Sequence, residues 1–136
     1  MRRLAAALVL AVLPIGAQAA TLAVKVEGVT AQGGVLRVTL WDTATFDGSK
    51  PLQGIPQPAR AGEMSATFTG LKPGDYAVKV LQDVNSNGKA DRNILGMPTE
   101  PFGFTNAPGL ITHAPSFGEI KFAVHDGENV VVIRLR

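Results

Sequence analysis

The sequence predicts an all-β protein, a small antiparallel sandwich of about seven strands with two long loops. Apolar and polar residues alternate with a period of two in six short segments, and glycine and proline cluster between these segments. No apolar pattern of helical period persists over the roughly 10 to 12 residues that a helix requires. A closed barrel built from the same strands is the alternative architecture.

The first 19 residues have the three parts of a secretory signal peptide. A positive start at 1–3 precedes an apolar segment at 4–13, and Ala17-Gln18-Ala19 is a small-x-small cleavage signature. The apolar segment is shorter than the roughly 20 residues needed to span a bilayer. We therefore expect cleavage after Ala19 and a mature domain of residues 20–136. Its expected location is periplasmic or extracellular, without insertion into a membrane.

The charge balance excludes two classes of partner. The chain has 13 basic and 11 acidic residues, but two of the basic ones, Arg2 and Arg3, lie in the removable segment. The mature domain is therefore neutral, without the basic surface of a nucleic-acid-binding protein or the polybasic run that holds an anionic membrane. The absence of cysteine excludes disulfides, and no glycine-rich nucleotide fingerprint is present.

The six clearest strands are separated by glycine turns and two long connections. Gly33-Gly34 predicts a hairpin between the first two strands, whereas 42–62 and 83–117 read as long surface loops. Loops of this length are uncommon in small domains unless they bind something, so function is expected there. The predicted strands lie at 22–27, 36–41, 66–68, 76–81, 120–124 and 129–136.

The apolar faces of these strands predict one core between two sheets. Tyr76 begins the fourth strand directly after the turn at Pro73-Gly74, where a tyrosine hydroxyl can bond back to the loop backbone. The predicted core residues are Leu36, Val38, Phe68, Tyr76, Val78, Val80, Phe122, Val131 and Ile133.

The strongest chemical signal follows the fourth strand, in a D-x-N-x-N-G-x-x-D string at 83–91. Oxygen side chains at alternate positions, followed by a glycine that permits a sharp turn, suit a hard cation such as Ca²⁺. The string is not a complete EF-hand, because its twelfth position is Ile94 and no flanking helices are predicted. The predicted ligands are Asp83, Asn85, Asn87, the backbone carbonyl of Lys89, and Asp91.

A metal-free interpretation of the same string is an Asx turn. Asn and Asp side chains then bond to their own backbone, and Lys89 and Arg92 neutralise Asp83 and Asp91. Gly88 takes a positive φ in either interpretation. The two interpretations differ in whether calcium changes the stability of the domain.

The following loop concentrates aromatic residues beside a carboxylate and is a candidate recognition surface. Prolines and glycines stiffen this loop, and alternation allows one of its two phenylalanines to face solvent. Folding of both rings against the sandwich is the alternative. The candidate recognition residues are Glu100, Phe102, Phe104 and Asn106.

Signals for catalysis are sparse. The sequence has two histidines, no cysteine and no G-x-S-x-G elbow, and two separated histidines do not make a zinc site. The sequence therefore favours a non-enzymatic binding or interaction module that meets an envelope protein or a small ligand. The alternative is a hydrolase or isomerase of a small metabolite, with Asp91, Glu100 and His113 as acid and base groups.

Three motifs in order resemble a known family. They are F-x-G-L-x-P-G-x-Y-x-V at 68–78, the Asp/Asn string at 83–91, and L-G-x-P-x-E-P-F-G-F-T-N at 95–106. Together they resemble the secreted bacterial domain-of-unknown-function family numbered 2141. The resemblance implies a β-sandwich of the prealbumin-like or collagen-adhesin B-like group and no established activity. The carboxyl-terminal signature of the transthyretin-related hydrolases is absent, because this chain ends in Ile133-Arg134-Leu135-Arg136.

Overall fold

The computed structural model describes residues 19–94, 98–109 and 111–136. All but the last residue of the predicted signal peptide therefore lie outside the described residues. The described part folds into eight strands and one short helix. The elements are β1 (Ala20–Val29), β2 (Val35–Trp41), β3 (Gln53–Pro58), β4 (Gly62–Leu71), β5 (Gly74–Asp83), β6 (Phe102–Phe104), α1 (Phe117–Ile120), β7 (Phe122–Val124) and β8 (Glu128–Arg134).

These strands form two sheets, which confirms the predicted sandwich. The smaller sheet has the order β4-β1-β8. The larger sheet has the order β3-β2-β5-β6, and β7 joins it by pairing with the first residues of β5. Within the described ranges the sheets do not close into a barrel. None of the helices in these ranges has the length and apolar character needed to cross a bilayer.

The predicted hairpin between the first two strands is wrong. β1 pairs with β4 and β8, whereas β2 pairs with β3 and β5 in the other sheet. The apolar faces of β1 and β2 oppose each other across the core, so the turn at Gly33-Gly34 carries the chain between sheets. Gly34 has φ of 81°, and a Cβ there would collide with the backbone of Asp83 and Val84. The turn therefore packs against the end of β5.

The sandwich also departs from a purely antiparallel pattern. β1 and β8 run parallel, with Thr21 opposite Glu128 and Glu27 opposite Arg134. A period of two fixes which face a residue occupies but not the direction of its neighbour, so the sequence pattern could not reveal this pairing.

A strand also lies in the first region predicted to be irregular. β3 runs along β2 at the edge of the larger sheet, with Pro56 opposite Arg37 and Pro58 opposite Val35. Proline is tolerated at an edge because its missing N–H is not needed by a further strand. The prolines that suggested a loop are therefore compatible with an edge strand.

The predicted core is confirmed. Seven of the nine predicted residues are buried, and Phe122 and Val131 are partly buried against the same cluster. Phe68 is 1% exposed and is among the largest fully buried side chains. The predicted tyrosine contact is also present, because the Tyr76 hydroxyl donates to the Lys72 carbonyl at 2.6 Å.

Replacing Phe68 by alanine is expected to lower the free energy of unfolding by about 3 to 5 kcal/mol, because it leaves a cavity between the sheets. Urea unfolding followed by circular dichroism measures this loss. Val132→Ala is the control, since Val132 is 56% exposed on the outer face of β8 and should change stability by no more than about 0.5 kcal/mol. A loss below about 1 kcal/mol in the Phe68 variant would contradict the assigned core.

Candidate functional site

The segment between β5 and α1 lies over the outer face of the larger sheet, opposite the main core. It leaves β5 at Asp83 and returns as β6, which pairs with β5 through Lys79 opposite Phe104 and Leu81 opposite Phe102. This short strand lies inside the second region predicted to be a loop. Its pairing places the candidate recognition residues beside the outward side chains of β2 and β5.

Asp83 anchors the beginning of this segment. Its side chain is fully buried, and its Oδ2 accepts from Arg37 Nε at 2.9 Å and from the Gly88 amide at 2.8 Å. Oδ1 accepts from the Asn87 amide at 3.2 Å. Burial alone would raise the pKa of Asp83, but the Arg37 guanidinium and the two amides together hold it below its ordinary value. Asp83 thus joins β2, β5 and the Asp/Asn turn.

The other polar side chains of the turn meet at Asp91. Asn85 Nδ2 and Asn87 Nδ2 donate to its two carboxylate oxygens at 2.6 and 2.8 Å. These bonds lower the pKa of Asp91, with the Asn87 amide contributing most. The amide oxygens of Asn85 and Asn87 accept from the backbone N–H groups of Asn87 and Lys89. Three of the predicted ligand side chains therefore converge, with Asx-turn bonds in place.

Glu100 stabilises this turn by binding its backbone. Glu100 is 8% exposed, and its two oxygens accept from the Val84 amide at 2.6 Å and the Asp91 amide at 3.2 Å. The carboxylate therefore fastens both ends of the Asp/Asn string to the residues that precede β6. No three His, Cys, Asp or Glu side chains group as a metal site within the described residues.

The two phenylalanines of β6 are half-buried on the outer face of the sheet, with ring centroids 5.6 Å apart. Between them, Gly103 points inward, where a Cβ would meet the Ile133 side chain at 2.6 Å. Asn106, the last candidate recognition residue, has φ of 48° and donates to the Lys121 carbonyl at 2.6 Å. Phe102 and Phe104 therefore line the surface, whereas Asn106 secures the end of the loop.

Lys79 is a central residue that the sequence analysis did not select. Its Nζ lies 4.3 Å from the ring centroid of Trp41 and 4.0 Å from that of Phe46, so both rings stabilise the ammonium by cation–π contacts. Burial lowers the pKa of Lys79, and the negative charge of Asp47 opposes this shift. A lysine in the middle of the clearest strand, on its outward face, was the available sequence signal.

Two adjoining cavities lie between the sheet and the segment. Their volumes are about 310 and about 230 Å³. Arg37 and Thr39 line the smaller cavity from the sheet, and Thr112 and His113 line the larger one from the loop before α1. Five residues line both cavities: Lys79, Arg92, Pro98, Phe102 and Phe104.

His113 is close to a carboxylate, but not to one that the sequence suggested. Its Nε2 lies 2.9 Å from Glu119 Oε1, and its Nδ1 lies 3.2 Å from the Thr112 hydroxyl. Glu119 also accepts from the Ser116 amide, and this bond, more than the histidine, lowers the pKa of Glu119. Asp91 and Glu100 do not belong to the described cavity lining.

The fold and the site together define a small β-sandwich with a loop-covered groove on its larger sheet. Residues 24–132 match the family model described as "Uncharacterized protein conserved in bacteria (DUF2141)". The match covers most of the chain, so the protein belongs to this family, and the resemblance drawn from the three motifs is confirmed. No curated protein and no solved structure matches the chain.

Replacing Asp83 by asparagine is expected to lower the free energy of unfolding at pH 7 by about 1 to 3 kcal/mol, because Arg37 loses its anionic partner. The folded pKa of Asp83 is depressed. The contribution of Asp83 to the free energy of unfolding is therefore fully present above its unfolded-state pKa of about 4. It is lost as the pH falls through the pKa of the folded state. Urea unfolding at a series of pH values between 7 and 2 measures the difference between the two proteins.

The control for this prediction is Asp75→Asn, which removes a half-exposed carboxylate 3.5 Å from Lys121 and should cost less than about 1 kcal/mol. Other carboxylates titrate in both proteins, so the difference between wild type and the Asp83 variant isolates this group. A difference that stays constant down to pH 2 would contradict the assigned role.

Proposed function

We propose that the protein is an exported, non-enzymatic binding module whose working surface is the segment 83–117, and that a calcium ion steadies this segment. The observation that carries the proposal is the pair of cavities enclosed between the segment and the larger sheet. Binding sites are commonly concave, and loops placed on a rigid scaffold commonly provide them. The family to which the chain belongs is uncharacterised, so the proposal is argued from the site itself.

Export is supported by the position of the first strand. β1 begins at Ala20, the first residue of the expected mature chain, and Ala20 is fully buried opposite Leu71 of β4. Cleavage after Ala19 would leave every strand intact. It would also remove the positive and apolar parts of the predicted signal peptide.

Calcium is supported by the convergence of Asn85, Asn87 and Asp91. Turning the two amides over would present their oxygens, instead of their NH₂ groups, to the space beside Asp91, where the Lys89 carbonyl could join them. Asp83 would contribute a carboxylate oxygen from the end of β5, although its oxygens already accept hydrogen bonds from Arg37 and two backbone amides. With one half-exposed carboxylate, and one whose oxygens are already hydrogen-bonded, we expect weak affinity, of the order of 10⁻⁴ to 10⁻³ M.

A binding role is better supported than hydrolysis by Asp91, Glu100 and His113. Acid and base groups must converge on a cavity in which the substrate lies. His113 lines a cavity, but Glu100 is buried with its oxygens on backbone amides, and Asp91 accepts from two asparagines. The three groups therefore do not share one pocket wall.

Expression with export in a bacterial host should yield a protein that begins at Ala20, because Ala17 and Ala19 suit the small-residue positions of the cleavage site. Intact mass spectrometry of the secreted fraction measures the amino terminus. Ala19→Gln, which places a large side chain at the cleavage position, should retain the precursor. Recovery of a full-length wild-type chain in the membrane fraction would contradict both the processing and the location.

Calcium at about ten times its Kd should raise the free energy of unfolding by about 1.4 kcal/mol through ligand linkage. In a domain of this size the melting temperature should rise by about 5 °C. Scanning calorimetry with calcium, with magnesium and with EDTA measures this shift.

Asp91→Asn should abolish the calcium shift and leave the metal-free fold intact, because Asp91 is the turn carboxylate that is not fully buried. Glu63→Gln is the matched control, since it removes one exposed carboxylate from the smaller sheet and should preserve the shift. Identical melting curves in EDTA and in millimolar calcium would leave the Asx turn as the correct interpretation.

A further inference from the structure

The two cavities adjoin each other as a groove along the outer face of the larger sheet, because five residues line both. We call it the β5 groove and define it by the five residues that line both cavities: Lys79, Arg92, Pro98, Phe102 and Phe104. Its floor is built by outward residues of β2, β5 and β6, and its walls by the surrounding loops. The larger cavity, at about 310 Å³, falls at the lower end of the range for small-molecule sites, about 300 to 1,000 Å³.

The charges around the β5 groove are of one sign. Arg37, Lys79 and Arg92 line it, and no described lining residue carries a carboxylate. The carboxylate that pairs with Arg37 belongs to Asp83, which is fully buried and does not face the groove. Arg37 is already paired with Asp83 and Arg92 makes interactions of its own, so Lys79 is the cation that can complement a negatively charged ligand.

Lys79 is the cation best placed to meet such a ligand. No described carboxylate lies within the 4.0 Å ion-pair distance of its Nζ, and Asp47 acts on it only at longer range. The Lys79 Nζ contacts the rings of Trp41 and Phe46, while the residue lines both cavities. No hydrogen bond from Lys79 Nζ is found within the described residues, and a partly desolvated ammonium binds a carboxylate more strongly than an exposed one does.

The β5 groove is apolar beside Lys79, because Phe104 on β6 lies opposite Lys79 in the strand register. Phe102 and Phe104 are half-buried, with their rings 5.6 Å apart, and Pro98 and Ile111 extend the same surface. Aromatic rings bind other flat apolar groups by offset stacking or edge contacts. A ligand that fills the groove therefore needs an apolar body next to its charged group.

We propose that the β5 groove binds a small organic monocarboxylate, with its carboxylate at Lys79 and an aromatic or similarly flat body against Phe102 and Phe104. This inference rests on the proposed function, because it names the ligand class of the same surface. An inorganic oxyanion would satisfy the cations without contacting the phenylalanines. A neutral aromatic molecule would contact the rings without satisfying the cations.

Titration with benzoate, followed by ¹H–¹⁵N NMR in calcium-containing buffer, tests the proposal. Benzoate should shift the amides of 79–81 and 102–104 in a saturable manner. Benzamide, its neutral counterpart, and inorganic phosphate should each bind at least about fivefold more weakly, because each lacks one half of the interaction. Equal binding of benzoate and benzamide, or shifts confined to other residues, would overturn it without requiring any variant.

Lys79→Met provides the second test, because methionine keeps a flexible apolar stem against the two rings and removes the charge. We expect benzoate affinity to fall about fivefold to tenfold, with NMR dispersion showing that the fold is retained. Lys25→Met is the matched control, since Lys25 is exposed on the smaller sheet, and it should leave affinity unchanged. Unchanged affinity in a folded Lys79 variant would overturn the assignment.

The result of the benzoate experiment can be distinguished from the result of the calcium experiment. A calcium-dependent rise in melting temperature without benzoate binding would reject the carboxylate ligand and leave the ion-stabilised module in place. Benzoate binding with no effect of calcium on melting would support the β5 groove and reject the ion.

Discussion

The buried carboxylate of Asp83 is the constraint on which the functional side of this molecule depends. It ends β5, accepts from Arg37 on β2, and accepts from two amides of the turn that follows. Burying a carboxylate costs free energy unless its oxygens accept hydrogen bonds. The Asp/Asn turn must therefore close in the one geometry that supplies these bonds. That geometry places Asn85, Asn87 and Asp91 together. It also starts the segment on the path by which Glu100 and β6 return to the sheet.

Strand β5 serves both sides of the larger sheet. Its inward residues Val78 and Val80 belong to the main core, whereas its outward residues Ala77 and Lys79 meet a second, smaller cluster around Trp41 and Phe46. In the proposed function, Lys79 thus serves recognition, whereas its neighbours in β5 serve stability. A substitution at Val78 or Val80 acts on the whole sandwich, one at Ala77 acts on the smaller cluster, and one at Lys79 acts on the groove.

The sequence correctly predicted the structural features that a short-range pattern determines. Period-two alternation located the core residues, and the turn before Tyr76 indicated its hydroxyl contact. The sequence did not predict which strands pair. Alternation places Leu22 and Leu36 on apolar faces, but it does not show that these faces belong to different sheets. The Asp/Asn string directed attention to Asp91, but the roles of Arg37 and Lys79 depend on contacts between two strands and a distant loop, which the sequence pattern does not show.

The parallel pairing of β1 with β8 also has a consequence for how the chain acquires its structure. The middle strand of the smaller sheet must wait for a partner from the far end of the polypeptide, since Leu22 lies opposite Asn129. Contacts of such long sequence separation slow folding, because the entropy of closing the intervening chain is lost before they form. During synthesis, β1 can gain β4 early, but its other edge stays open until β8 has emerged. Pairing of β8 therefore completes the smaller sheet, and shortening β8 would leave one edge of β1 unpaired.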